Sequence, residues 1–400
     1  MEDVKRELVF VPAPALGHMA STIELTNRLL STTHPHHRIS ITILIVNFPY
    51  TDNNFNSYFQ SLPSIFPNIR FIILPPVDPP PLPAHVAIET LVSLYGPKWT
   101  PQLKNALTQL TESAPTRLTG LVIDFLFTDF IDVATQLGVP TFLNYTTNAA
   151  MLGLILHLPT LDANYPKTTE FTELAIPSFA NSVPPTVLPT PLLKKSDDSY
   201  KWYVHHCGRL RELKGILVNT FPDLERHAIE SFSGAPKVYA VGPIVDVEGK
   251  GQLRPVGRGE QERIMRWLDR QPEESVVLVC FGSMAGLSGV ELREIAAGVE
   301  ASGYRFLWSL RKAPRFSGDG KVVEEDPMEG LPEGFEGRVE GGGGDGVWVG
   351  GAGGGVGAQG NWGVCESLRV ELDIGEFVVW GANSNLAYVR GAAVECVLFG

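Results

Sequence analysis

Short apolar runs rich in β-branched residues alternate with segments of helical length through the first half of the chain. The strands that these runs predict are Glu7–Val11, Ile39–Val46, Phe71–Leu74, Gly120–Asp124 and Thr141–Asn144. Such alternation is typical of parallel strands joined by crossover helices, here predicted at 21–31 and 128–137. We therefore predict an α/β fold with a doubly wound parallel sheet.

The same alternation continues with strands at 215–218 and 237–241 and restarts after a glycine-rich stretch at 248–259. Strands at 275–281 and 304–310 then flank a helix at 289–303, which makes a βαβ unit of ordinary length. We predict four regions, namely an N-terminal domain at 1–241, a linker at 242–262, the start of a second α/β domain at 263–340, and a separate tail at 341–400.

Composition favours small-molecule chemistry. The 400 residues carry a formal net charge of −12, which does not suit a protein that binds the phosphate backbone of nucleic acid. Neither a secretion signal nor a membrane span is predicted. The four cysteines, Cys207, Cys280, Cys365 and Cys396, have spacings that fit neither a zinc site nor a disulfide framework. We expect a cytoplasmic protein with reduced thiols.

A histidine follows the first predicted strand. The segment PAPALGHM places His18 in a tight loop before a helix whose first turn includes Ser21 and Thr22. Open α/β sheets bind ligands beyond the carboxyl ends of their strands, which is where His18 is expected. A lone histidine at a helix start is otherwise satisfied by solvent, so a catalytic role requires a partner.

Asp124 ends another apolar strand, in LVIDFLFTDF, and is the candidate partner. A carboxylate bonded to one imidazole nitrogen fixes the tautomer and raises the basicity of the other nitrogen, as a general base requires. Alternatively, Asp124 caps the helix that starts near Thr128. Spacing leaves these interpretations even, and Asp129, the more obvious helix-start residue, favours an Asp124 that is free for catalysis.

A strand-to-helix turn in the second half could bind phosphate. The strand in VVLVCFGSM runs into Gly282 and Ser283. Such a turn can bring a backbone amide and a hydroxyl to a phosphate, although many turns contain these residues for geometry alone.

Several motifs then point to a family in a consistent order: GHM with His18, VID with Asp124, ILVNTFPDLE at 216–225, VGPI at 241–244, WLDRQP at 267–272 and FGS at 281–283. Together they resemble the plant family-1 UDP-dependent glycosyltransferases, over roughly residues 5–340. The stretch IPSFANSVPPTVLP at 176–189 is similar to the branch that glycosylates flavonoids, phenylpropanoids and terpenoids.

The resemblance implies a fold of the glycosyltransferase B type, with two Rossmann-like domains facing across a cleft and, in this chain, a truncated second domain. It implies that His18 deprotonates an acceptor hydroxyl, that Asp124 stabilises the imidazolium, and that the sugar is transferred with inversion. It assigns Gly282 and Ser283 to the donor diphosphate, and it assigns the acceptor to Gly17, Thr147 and Asn148. The co-substrate is a UDP-sugar, by family default UDP-glucose. No metal or other cofactor, no nucleic acid and no membrane is implied, and a monomer is expected.

The tail departs from the family after PEGF at 332–335. The expected signature of Trp-Ala-Pro-Gln, HCGWNS, ES and GVP is not in place, and the first part of the tail has no periodicity that predicts a helix or a strand.

A shifted reading frame restores the expected signature in much of the tail. In this frame each new codon consists of the last two bases of one residue's codon and the first base of the next residue's codon. Residues 367–373 become compatible with HCGWNS, and those that follow, through Gly381, with ILESLWFG. The proline of Trp-Ala-Pro is the exception, because 351–352 cannot encode it. We predict a frameshift within the glycine codons of 341–344; the alternative is a genuine low-complexity loop.

Three functions follow from these alternatives. The first is an inverting UDP-glycosyltransferase acting on a small lipophilic plant metabolite. The second is a catalytically dead paralogue that at most binds the acceptor. The third, an unrelated His–Asp hydrolase, is opposed by the lack of a Gly-x-Ser-x-Gly nucleophile turn.

Overall fold

The structure is a computed structural model. It describes residues 5–32, 39–49, 53–82, 86–112, 116–164, 173–234, 236–245, 258–272, 275–280, 287, 289–310, 314–316, 322–324, 330–335, 337–338, 346–349, 376–380, 386–390 and 397–398. The chain divides into two compact units, one comprising Met1–Asp246 and the other beginning at Val247.

The first unit contains a parallel sheet in the order β3-β2-β1-β4-β5-β6-β7. Its strands are β1 (Lys5–Val11), β2 (Ile39–Ile45), β3 (Ile69–Ile73), β4 (Thr116–Ile123), β5 (Thr141–Tyr145), β6 (Gly215–Val218) and β7 (Lys237–Ala240). Strand order reverses between β1 and β4, because the chain first builds outward from β1 to β3 and then returns to the other side. Open α/β sheets bind ligands at such a switch point.

The helices of the first unit are α1 (Leu16–Thr32), α2 (Asn53–Ile65), α3 (Ile88–Glu112), α4 (Phe130–Gln136), α5 (Ala149–Asn164), α6 (Thr190–Leu193), α7 (Asp198–Arg209) and α8 (Pro222–Glu230). Short 3₁₀ helices occur at Phe125–Phe127, Pro185–Val187 and Leu210–Glu212. The predicted strands of this half are all present. The predicted helix at 128–137 is present as α4, and the 3₁₀ turn at Phe125–Phe127 precedes it.

Buried aromatic rings pack α3 against the turn that follows β4. Tyr95 and Trp99 stack with ring centroids 5.2 Å apart, and Trp99 meets Phe127 edge-on at 5.7 Å. Phe127 in turn stacks on Phe130 at 4.9 Å. Because Trp99, Phe127 and Phe130 are fully buried, this packing fixes the path of the chain just beyond β4.

The second unit contains a sheet in the order β12-β9-β8-β13-β14-β15, besides a short hairpin of β10 and β11. The strands are β8 (Val276–Cys280), β9 (Arg305–Ser309), β10 (Pro314–Phe316), β11 (Val322–Glu324), β12 (Gly346–Val349), β13 (Glu376–Trp380), β14 (Leu386–Arg390) and β15 (Val397–Leu398). The helices are α9 (Arg258–Leu268) and α10 (Gly289–Ser302). Phe306, Trp308 and Phe335 lie in its core.

The tail contains strands that its sequence did not predict. Gly346–Val349 pairs in parallel with Phe306–Ser309, although the first part of the tail has no periodicity that predicts a strand. The GVWV segment is apolar and only four residues long, which is too short for a periodicity to be read but long enough to extend an existing sheet edge.

Candidate active site

His18 and Asp124 form a pair at the switch point of the first sheet. Nδ1 of His18 lies 2.6 Å from Oδ2 of Asp124. The pairing follows from topology, because β1 and β4 are neighbours with Val11 opposite Ile123, and the N–H of Asp124 donates to the carbonyl of Val11. Asp124, the first residue beyond β4, is thereby brought next to the start of the helix that follows β1.

His18 lies within a helix rather than in a loop before one. Helix α1 begins at Leu16, and the N–H of Met19 donates to the carbonyl of Ala15. The predicted loop position was therefore wrong, since the turn after β1 is completed within Pro12–Ala15. The hydroxyl of Thr22 donates to the carbonyl of His18, and the side-chain amide of Asn144 donates to Thr22. These bonds fix the first turn of α1 against β5.

Asp124 acts both as a cap and as the partner of His18. Its Oδ1 accepts the N–H of Leu126 at 3.4 Å, as the N-cap of the 3₁₀ helix Phe125–Phe127, while Oδ2 contacts His18. Asp124 therefore caps the 3₁₀ helix and not the predicted helix near Thr128, and this cap leaves Oδ2 to pair with His18. Asp129 is the N-cap of α4 but makes no side-chain cap bond; its carboxylate instead contacts His205 and Arg209.

Burial and charge act in opposite directions on His18. Burial lowers the pKa of His18, but the charge and the hydrogen bond of Asp124 outweigh it, so the pKa lies above its usual value. The side chain keeps 36% of its surface accessible, although protein atoms crowd the rest of the ring, while Asp124 is almost fully buried. With Nδ1–H donated to Asp124, the lone pair on Nε2 is available to accept a proton.

The segment after β5 faces this pair. Thr146 Oγ1 lies 3.4 Å from His18 Nδ1, a contact that the sequence did not suggest. Thr147 and Asn148 are exposed; Thr147 bonds to the hydroxyl of Tyr145, and Asn148 Oδ1 accepts the N–H of Met151 as a cap of α5. Gly17 is exposed on the first turn of α1, with open space where a side chain would be.

Aromatic residues that the sequence reasoning missed surround Asp124. Phe125 meets Tyr203 at 5.4 Å, Tyr145 at 6.2 Å and His206 at 5.6 Å. Burial raises the pKa of Tyr145, so its phenol stays neutral. Only contacts between distant segments reveal this cluster, because Tyr203 and His206 belong to α7.

The predicted donor residues Gly282 and Ser283 lie outside the described residues. Among the residues that are described, no group of three or more His, Cys, Asp or Glu side chains could hold a metal ion. Within the same residues, each helix is too short or too polar to cross a membrane.

Comparison with known proteins identifies relatives along most of the chain. A scan against protein-family models finds no match. UDP-glycosyltransferase 71K2 of Pyrus communis is 38% identical over 348 residues, covering 84% of this chain and 71% of the relative. A putative UDP-glucose flavonoid 3-O-glucosyltransferase 3 of Fragaria ananassa is 38% identical over 400 residues, covering 95% of this chain and 78% of the relative.

Solved structures lead to the same class. UGT71G1 of Medicago truncatula, complexed with UDP-glucose, has a TM-score of 0.72 at 31% identity and covers 94% of this chain and 76% of its own. A ugt transferase from Siraitia grosvenorii in complex with UDP has a TM-score of 0.72 at 33% identity, with coverages of 94% and 82%. The predicted glycosyltransferase B fold is confirmed, and the fold and site define a sugar-transferring enzyme. The chain belongs to the plant UDP-glycosyltransferases.

Proposed function

We propose that this protein transfers glucose from UDP-glucose to a hydroxyl of a small lipophilic plant metabolite, with inversion at the anomeric carbon. The observation that carries the proposal is the His18–Asp124 pair, with its 2.6 Å contact and raised His18 pKa. The pair lies at the switch point of the sheet, where open α/β sheets bind ligands, and a histidine paired with a carboxylate can act as a general base. The cytoplasmic location and the monomeric state stay predictions.

The pair performs two tasks in the proposed reaction. Nε2 of His18 accepts the proton of the acceptor hydroxyl as its oxygen attacks the anomeric carbon. The new carbon–oxygen bond forms as the bond to the diphosphate oxygen breaks, and UDP leaves with that electron pair. Asp124 stabilises the imidazolium formed on His18 and holds its tautomer, so the base does not need a metal.

Support for the substrates comes from the relatives and from the site's surroundings. Two solved relatives hold UDP or UDP-glucose, and the Fragaria relative carries a flavonoid in its name. Tyr203, which is half-buried and packs on the buried ring of Phe125, provides aromatic surface near Asp124 for a phenolic ring. We assign acceptor contacts to Gly17, Thr147 and Asn148, and donor diphosphate contacts to Gly282 and Ser283.

The test is release of UDP by the chain with its reading frame restored beyond 341–344, supplied with UDP-glucose in the presence and absence of phenolic acceptors. We expect release to depend on the acceptor and the product to have the opposite anomeric configuration to the donor. His18→Ala should reduce kcat by about 10²–10⁴-fold, the usual contribution of a general base. His227→Ala, which changes an exposed histidine, is the matched control. Equal release of UDP with and without a phenolic acceptor would refute sugar transfer to the acceptor.

We further infer that the reading frame changes by one base within the codons of 341–344. The support is the register of HCGWNS and ILESLWFG, which continues over consecutive positions when the frame is shifted. Runs of glycine codons are G-rich, and G-rich tracts favour slippage. With the tail as written, the family's donor signature is missing, and the chain then at most binds an acceptor without transferring sugar.

Sequencing the transcript and the gene through the codons of 341–344 tests this inference. An in-frame tract without the extra base supports an ordinary transferase. A shifted tract in both predicts that the chain as written shows no heat of UDP binding by calorimetry, while the frame-restored chain binds UDP. Binding of UDP by the chain as written would contradict the inference that its donor site is lost.

A further inference from the structure

A second buried histidine, which the proposed reaction does not use, lies behind the catalytic pair. His206 on α7 is fully buried. Its Nδ1 lies 2.7 Å from Thr128 Oγ1, and its Nε2 lies 2.9 Å from Ser93 Oγ on α3. The ring therefore joins α7, α3 and the chain that follows β4.

The hydrogen-bond network assigns one tautomer to this ring. The hydroxyl of Ser93 donates to the carbonyl of Glu89 at 2.6 Å, so its proton is already used. Ser93 must then accept from Nε2–H of His206, which leaves Nδ1 to accept the hydroxyl proton of Thr128. A neutral imidazole satisfies both neighbours, whereas an imidazolium would have two donors. Burial lowers the pKa of His206 to about 4, which agrees with this neutral form.

His206 contacts the turn that begins at Asp124 through Thr128 and Phe125. Thr128 is the C-cap of the 3₁₀ helix Phe125–Phe127, and Asp124 is its N-cap. The same imidazole packs edge-on against Phe125, with ring centroids 5.6 Å apart. Because Thr128 and Asp124 are both almost fully buried, a shift of the turn would move the Asp124 carboxylate away from His18.

We propose that His206, through its bond to Thr128, is a positioning residue that holds Asp124 against His18 and so maintains the basicity of His18. The proposal rests on the proposed function, since it concerns the same base. The other titratable or charged groups near His206 are His205, Asp129, Asp124 and Arg209. In the described part of the chain, Asp124 is the charged group that acts on the pKa of His18.

The test is an NMR titration of the His18 imidazole in the full chain, without donor or acceptor. Thr128→Val removes the hydroxyl at nearly constant shape, and we expect it to lower the His18 pKa by about half a unit or more as the Asp124 contact loosens. Thr128→Ser retains the hydroxyl and should restore the original value.

Two substitutions of His206 itself separate its two nitrogens. An asparagine amide occupies the position of Nδ1, so His206→Asn retains an acceptor for Thr128 and should leave the His18 pKa unchanged. A glutamine amide reaches the position of Nε2, so His206→Gln retains the donor to Ser93 and should lower the His18 pKa. Should Thr128→Val fail to fold, the contrast between these two variants still decides the proposal.

Ser93→Ala is the matched control, because it removes the other hydrogen bond of the same buried ring. It should lower the melting temperature without moving the His18 titration. Equal His18 titrations in Thr128→Val, His206→Gln and the unchanged chain would overturn the proposal and leave His206 as a core residue. Since the titration needs no turnover, its result is independent of whether His18→Ala abolishes sugar transfer.

Discussion

Asp124 is separated from His18 by 106 positions in the chain, yet its Oδ2 lies 2.6 Å from the Nδ1 of that histidine. The contact depends on the order of the strands, because only the reversal between β1 and β4 brings Val11 opposite Ile123. The position of His18 against Asp124 therefore depends on the sheet as much as on helix α1, and substitutions that shift β1 against β4 should change the contact.

Asp124→Asn should change the stability of the protein in a pH-dependent way. The raised pKa of His18 means that the folded protein binds its proton more tightly than the unfolded chain does. The pair therefore stabilises the fold most below pH 6.5, and this contribution is lost as the pH rises through the raised pKa. Asparagine can still accept the N–H of Leu126, so the substitution isolates the charge.

Urea unfolding of both proteins at several pH values checks this prediction. The deficit in unfolding free energy of Asp124→Asn should be larger at low pH than at high pH, and the His18 pKa should fall. A deficit that does not change between these conditions would contradict the prediction, because the effect would then not depend on the protonation of His18.

His206 should make the protein sensitive to acid. Its folded pKa of about 4 lies below the usual 6.5, so the unfolded chain binds the proton more readily. Stability is then lost as the pH falls from about 6.5 towards 4, by up to about 3 kcal/mol for this group. His206→Asn should lose that part of the pH dependence, measured by urea unfolding between pH 7 and 4. His227→Asn, at an exposed position, should retain the full dependence.

The sequence predicted the strands that carry His18 and Asp124, but not the helices and long-range contacts that hold these residues in place. His18 and Asp124 follow apolar strands, and apolar runs can be read directly from the order of residues in the sequence. Helix α3 was not predicted, because Pro97 and Pro101 within it suggest a break. The contacts of His206 and Thr128 join segments 78 positions apart, and no local pattern records such a contact.

Glu225 should stabilise the segment that faces His18. Its carboxylate accepts the N–H groups of Ala149 and Ala150 at 2.8 and 3.0 Å, so that it caps the N-terminus of α5. The hydroxyl of Thr220 also donates to it. Glu225→Gln removes the charge and one acceptor, and should cost about 1–2 kcal/mol of stability.

Thermal melting with hydrogen exchange at Ala149 and Ala150 measures the Glu225 effect. The matched control is Glu230→Gln at the exposed C-terminal end of α8, the helix that also contains Glu225. This substitution should change stability by less than about 0.5 kcal/mol. An equal loss in both variants would mean that general charge, and not the cap, is responsible.

Two helical glycines should respond in opposite ways to alanine. A Cβ on Gly153, buried in α5, would lie 2.1 Å from the Cβ of Ser178, so Gly153→Ala should destabilise the protein by about 1–3 kcal/mol. A Cβ on Gly208 in α7 meets nothing within 4 Å, so Gly208→Ala should stabilise it by about 0.5–1 kcal/mol. Urea unfolding of the two variants side by side measures the contrast. Helix propensity alone favours alanine at both positions. Stabilisation by Gly153→Ala would therefore contradict the prediction, because it would mean that the segment containing Ser178 moves away from α5 at little cost.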